Sequence, residues 1–180
     1  MKKLFLKITL ASLVTLVVYL LCQALINAIL HGLDDRLILL TQAILTTFAY
    51  AFFLLYFLKI RKGEAEKEVL EDYTETEYPG MKADLKNVWK KEKAALIMIF
   101  IIIISCFVLN IVDTFLLPEW FISLPTIIYM PMCFFALVLE HMYIIGYILS
   151  AVAICVIYIL VLLVYRRRLY KYWLQKNNRT

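Results

Sequence analysis

Charge is scarce in this 180-residue chain: 18% of its residues are Asp, Glu, Lys or Arg, against 64% that are hydrophobic. A soluble domain is nearer half apolar and about a quarter charged, so the shortage excludes an ordinary water-soluble fold and leaves lipid as the solvent. Glycine, proline and cysteine number 4 each and histidine 2. The motifs they would build are missing too. There is no G-x-x-x-x-G-K-[ST] loop to wrap a phosphate, no G-x-S-x-G elbow to expose a serine nucleophile and no H-E-x-x-H pair to hold zinc. Cys22, Cys106, Cys133 and Cys155 lie in apolar sequence and form no C-x-x-C pair. They read as small buried or lipid-facing hydrophobes, not as a disulfide or metal set, and nothing calls for a cofactor.

What the chain does have is apolar length. Residues 8–30, 37–58, 94–117 and 142–165 carry no Lys, Arg or Glu. Each run meets the roughly 20 helical residues that cross a hydrocarbon core of about 30 Å, and Asp113 is the single charge within them. The expected fold is an all-α polytopic membrane protein with four transmembrane helices. "MKKLFLK" has the basic character of a signal-peptide start. The apolar stretch behind it is too long for such a core, and no small-x-small cleavage site precedes "HGLDDR", so it reads as a retained anchor.

Basic residues beside spans stay on the cytoplasmic side. Of the 19 Lys and Arg residues, only Arg36 falls outside if the N terminus is inside, which predicts an N-in, C-in threading through the cell membrane. The "MKK" start and the abundance of Ile and Lys point to a bacterial inner membrane. Residues 118–141, "PEWFISLPTIIYMPMCFFALVLEH", form a further apolar stretch. A fifth crossing there would put Arg166, Arg167 and Arg168 outside. Pro118, Pro125 and Pro131 each lack an amide donor and disfavour helix in the residue before. The segment is expected to be re-entrant or interfacial on the outer face, packed on the bundle because non-helical backbone at that depth needs protein or water around it.

The chain thus divides into a transmembrane hairpin (1–60), a charged cytoplasmic arm (61–93), a second hairpin carrying the outer segment (94–165) and a basic aromatic tail (166–180). In the arm, acids outnumber the one lysine over residues 63–80, which end on a Tyr78-Pro79-Gly80 turn signal. The sign then flips. "MKADLKNVWKKEK" sets Leu85, Val88 and Trp89 on a small apolar face beside Lys82, Lys86, Lys90 and Lys93. That is the pattern of an amphipathic helix at the inner interface, with Trp89 at headgroup depth and the lysines toward anionic lipid. Arg166, Arg167, Arg168 and Trp173 in the tail read as an interface belt and not as a nucleic-acid surface. The acidic stretch is expected to be a solvated hairpin, or to dock on these basic surfaces or on a partner protein.

Polar residues within the spans fall on stripes. Ser12, Thr15, Tyr19, Gln23 and Asn27 recur at helical spacing, as do Gln42, Thr46 and Tyr50, then Cys106, Asn110 and Asp113, then Tyr143, Tyr147 and Ser150. At 1.5 Å per residue, Asn110 sits about 10 Å and Asp113 about 6 Å below the outer end of the third run. Unsatisfied polar groups are costly in lipid, so Gln23, Asn27, Gln42, Asn110, Asp113 and Tyr147 are expected to turn inward and line a polar pocket in the outer half. His31, Asp34, Asp35, Glu119, Glu140 and His141 make an acidic rim above it. An isolated His-x-x-Asp and an adjacent Glu-His pair are no metal signature, and no metal is assigned.

Three functions compete. The leading one is a non-catalytic membrane subunit or accessory of a larger assembly, binding a protein partner or its own copies. Gly146-x-x-x-Ser150 and Ala24-x-x-x-Ala28 supply close-packing signals. The second is a small oligomeric transporter or channel that uses the acidic outer pocket, since an intramembrane ionisable group facing a bundle is a candidate substrate contact. The third is an intramembrane enzyme centred on Asp113. Asn110-x-x-Asp113 is similar to one motif of lipoprotein signal peptidases, but the motif of the second catalytic aspartate is missing, so no catalytic residue is assigned.

Overall fold

A computed structural model of the chain describes residues 2–29, 34–73, 81–116, 124–133 and 143–177. Its elements are α1 (Lys2–Ile29), α2 (Asp35–Leu55), α3 (Glu64–Tyr73), α4 (Met81–Leu116), α5 (Leu124–Tyr129) and α6 (Tyr143–Asn177), with no strand among the described residues. The apolar runs become α1, α2, α4 and α6, four helices long and apolar enough to cross a membrane. In lipid the helix is favoured because it pairs every backbone N–H and C=O within its own segment. His31, Glu119, Glu140, His141, Pro118 and the Tyr78-Pro79-Gly80 signal lie outside the described residues, as do the side chains of Asn27 and Asp35.

Helix α6 packs against both α2 and α4, and α2 also packs against α1. Small side chains allow the close approach: Ala43, Thr47 and Ala51 on α2 and Gly146, Ser150 and Ala151 on α6 are all buried. The Ser150 hydroxyl donates back to the Gly146 carbonyl at 2.9 Å, so it needs no partner on another helix. The expected close-packing signal on α6 is thus used inside the bundle. Larger residues fill the rest of the core, including Tyr50, Leu54, Ile99, Ile103, Ile154, Tyr158 and Leu162. Outward, Phe48, Phe52, Ile101, Ile104, Val156 and Val164 stand exposed. A surface that apolar requires lipid.

Two long helices overrun the bilayer. At 36 and 35 residues, α4 and α6 extend about 54 and 52 Å. The amphipathic segment expected to form its own interfacial helix is therefore the first third of α4, continuous with the third span, and most of the tail continues α6. Of residues 118–141, those described form α5 and a 3-10 turn over Met130–Met132. Pro125 falls in the first turn of α5, where the missing amide costs no helix bond. This piece packs on α1 and α4. Ser12 Oγ donates to the Ile128 carbonyl at 2.6 Å, Tyr129 and Thr9 share a hydroxyl contact at 2.7 Å, and Thr126 donates to Asp113 at 3.1 Å.

Candidate functional site

Charged side chains are drawn inside at one end of the bundle, where α1 begins, α2 ends, α4 begins and α6 ends. Three buried stripes converge there. On α6, Tyr158, Leu162, Arg166 and Tyr170 follow one another at intervals of four and are all buried; on α4 the same spacing buries Asp84, Val88 and Glu92. Helix α3 lays Ala65, Val69 and Tyr73 inward, which brings Glu68 and Asp72 to the edge of the same space.

Local backbone geometry completes the convergence. Helix α2 closes in a π-turn, Tyr56–Ile60, whose last bond runs from the Arg61 amide to the Tyr56 carbonyl at 2.9 Å. The extra residue in that turn buries the neighbouring Leu58 and Lys59 together. Lys7 Nζ on α1 reaches the Leu58 carbonyl at 3.3 Å. Gly63 then adopts φ +63°, a left-handed conformation that costs glycine little, and the chain turns into α3.

Arg166 is the centre, with 0% of its side chain exposed. Its Nε donates to Asp84 at 3.0 Å, Nη2 to Asp72 at 2.7 Å and Nη1 to Glu68 at 3.3 Å. Tyr73 donates to Asp84, lies under the guanidinium at 5.7 Å and meets Tyr170 edge to face at 5.5 Å. Beside this cluster, Lys59 pairs with both Glu68 and Glu92 at 2.5 Å. Tyr158 donates to Glu92 at 2.7 Å, and Lys91 holds Asp72 at 2.8 Å. Guanidinium geometry suits this role, because its planar fork serves several carboxylates at once.

The electrostatics follow from the contacts. Burial opposes ionisation of Asp72, but hydrogen bonds from Lys91 and Arg166 outweigh it and hold the carboxyl below its usual range. Burial, and then the hydrogen bond to Asp84, push the Tyr73 hydroxyl well above its ordinary value. Tyr73 therefore stays a neutral donor. A lone buried ion costs several kcal/mol, and only excellent geometry with satisfied partners offsets it. Here each charge answers another, and the result is a clamp that ties α3 to α2, α4 and α6.

Composition alone puts Arg166 at the lipid interface with Arg167 and Arg168. Those two are exposed, whereas Arg166 is fully buried. Its spacing from Tyr158 and Leu162 was the available signal. Lys82, Lys86, Trp89 and Lys90 are exposed and Trp173 is half-buried. Of the residues assigned to an outer pocket, Asp113 accepts from Thr126 and buried Gln42 accepts from Tyr19 at 3.4 Å, while Tyr147 is buried and meets Phe107 edge to face at 5.3 Å and Asn110 is half-buried. These are contacts between neighbouring helices. Gln23 is half-buried and Asp34 of the rim is exposed. Cys106, Cys133 and Cys155 are buried and free, and no metal-holding group of three acidic, His or Cys residues occurs among the described residues.

Comparison with protein-family models, curated proteins and solved structures returns no match to this chain.

Proposed function

We propose that this is a non-catalytic integral membrane subunit whose charged end faces the cytoplasm and presents a pre-ordered binding surface to a protein partner. The observation that carries the reading is how the acidic helix α3 is used. Glu68 and Asp72 are committed inward to Arg166, Lys59 and Lys91, so the carboxylates that acid–base chemistry would need are spent on holding the helix. Its other face, with Glu66, Lys67 and Glu71, stays exposed, as do Lys82, Lys86 and Lys90 of α4. A helix fixed in this way loses little conformational entropy on binding. The N-in, C-in threading is supported by the concentration of Lys and Arg at this end. It sets residues 118–141 as a re-entrant or interfacial segment on the outer face, and exposed Trp89 with Lys82, Lys86 and Lys90 at an anionic inner leaflet.

The test is site-specific cross-linking from Glu71 in native membranes. A discrete partner should be captured and lost in a Glu66→Lys, Glu71→Lys variant that leaves the clamp intact, while Asp113→Asn retains it. Absence of any cross-linked partner, together with liposome flux abolished by Asp113→Asn, would instead make this a transporter. A reporter fused after Thr180 and found outside the cell would overturn the threading.

A further inference from the structure

Glu64, Glu68 and Asp72 follow one another four residues apart on α3, and so share one stripe of the helix. Each holds a cation from a different part of the bundle. Glu64 takes Lys7 of α1 at 3.1 Å, and Glu68 takes Lys59, from the turn that closes α2, at 2.5 Å. Asp72 takes Arg166 of α6 at 2.7 Å and Lys91 of α4 at 2.8 Å. All four apolar spans thus supply a cation to this one short helix. The apolar part of its seat is small by comparison: Val69 and Tyr73 pack with Tyr170 and Leu169, in a cluster apart from the main core. Helix α3 is held chiefly by charge.

A seat of this kind is exchangeable. Removing one partner of a buried ion pair strands the other, whereas handing it to a second anion does not. With α3 lifted, Asp84 would keep Arg166 and Glu92 would keep Lys59. Arg166 would lose Glu68 and Asp72, and Lys7 and Lys91 would lose the carboxylates they hold. The donors set free suit a phosphate: a guanidinium fork meets two of its oxygens and lysines neutralise the rest. Lys7 and Lys91, with side chains 22% and 32% exposed, leave an anion a way in from the edge.

We propose that Lys7, Lys59, Lys91 and Arg166 form a site for the phosphate of an anionic phospholipid headgroup, and that α3 is a strap that masks it. Headgroups bind only the open form and so shift the balance toward it. The proposal rests on the reading that this end of the bundle meets the inner leaflet, where anionic lipid gathers basic residues. It gives that reading a control: the outer face of α3 is presented while the strap is seated and withdrawn when headgroups displace it.

Hydrogen exchange of the full chain in lipid nanodiscs, read by mass spectrometry over residues 64–73, tests this, because amide exchange reports the open fraction of a segment. In phosphatidylcholine discs α3 should be protected. Adding phosphatidylglycerol should raise its exchange about tenfold, the change that ~1.4 kcal/mol gives, and leave α2 unchanged. The Lys7→Gln, Lys91→Gln protein should exchange alike in both discs. Arg167→Gln, Arg168→Gln, at exposed positions outside the site, should respond as wild type does. Inorganic phosphate added to phosphatidylcholine discs, against chloride at equal ionic strength, should have no effect; a rise matching that with phosphatidylglycerol would overturn the lipid assignment in favour of soluble phosphate. Equal exchange of wild type in the two discs overturns the proposal. So does a full response from Lys7→Gln, Lys91→Gln, or a lost one from Arg167→Gln, Arg168→Gln. Such discs carry the same lipid on both faces, so the outcome depends neither on the threading nor on any protein partner.

Discussion

Arg166 Nε and Asp84 Oδ1 are 3.0 Å apart, and neither side chain is exposed to solvent. Truncating one partner strands a buried charge. Asp84→Ala should therefore cost about 3–5 kcal/mol of stability. The double variant Arg166→Met, Asp84→Leu should cost less than Asp84→Ala alone, because Asp72 keeps Lys91 and Glu68 keeps Lys59. Thermal melting in detergent of wild type, Arg166→Met, Asp84→Leu and the double variant, beside Asp84→Ala, measures the coupling, and additive losses would refute it.

The clamp should also be sensitive to acid. Asp72 titrates below the 3.8 of a free carboxyl, so the folded state binds its proton more weakly than the unfolded state does. Its contribution is complete above about pH 4 and fades as pH falls through the depressed value. Tyr73 works on the alkaline side: its hydroxyl is raised above 10.0, so its contribution is complete below about pH 10 and fades only at higher pH. Melting temperatures should be level between pH 5 and 9 and fall at both extremes. Asp72→Asn should reduce the acid-side fall, and Tyr73→Phe the alkaline-side one. A wild-type midpoint that already drops between pH 7 and 5 would contradict this assignment.

Much of the architecture is legible in the sequence because lipid imposes one rule: the four long apolar runs have to become helices. The clamp is harder to read. Arg166 begins a run of three arginines after a span, which composition reads as an interface belt; only its phase with Tyr158 and Leu162 marks it as buried. Asp84 and Glu92 are likewise visible only as continuations of the stripe through Val88. Lys59 has no such signal, since the π-turn changes the phase that a regular helix would predict. The acidity of α3 is obvious, but which carboxylates face inward depends on Gly63 and on where α6 ends. Polar residues toward the other end of the bundle are legible as stripes, and Tyr19 with Gln42 shows two stripes meeting across helices.

Burial separates two lysines near the same helix end. Lys59 and its partner Glu92 have side chains only 9% and 4% exposed, whereas Lys7 and Glu64 are 22% and 41% exposed. Screening by water makes the second pair worth about 1 kcal/mol or less. Lys59→Ala should lower stability by about 3–5 kcal/mol, since it leaves Glu92 buried without its counter-charge. Lys7→Ala should cost only about 1–2 kcal/mol even with the Leu58 contact included. Melting both variants at low and high salt checks the contrast. Salt should weaken the Lys7 contribution and leave that of Lys59 nearly unchanged.

Two buried tyrosines give opposite expectations for the same deleted atom. The Tyr158 hydroxyl donates to Glu92, and hydrogen bonds to charged groups contribute about 1.5–3 kcal/mol. Tyr158→Phe should destabilise by that order. Tyr50 is also fully buried, yet its hydroxyl has no hydrogen-bond partner among the described residues. An orphaned buried hydroxyl costs about 1–3 kcal/mol, so Tyr50→Phe should stabilise the bundle and raise the melting midpoint by about 2–4 °C per kcal/mol gained. If Tyr50→Phe instead lowers it, the hydroxyl is satisfied by an ordered water in the core. The bundle would then have a wet interior where Tyr50 lies close to Cys133 and Cys155.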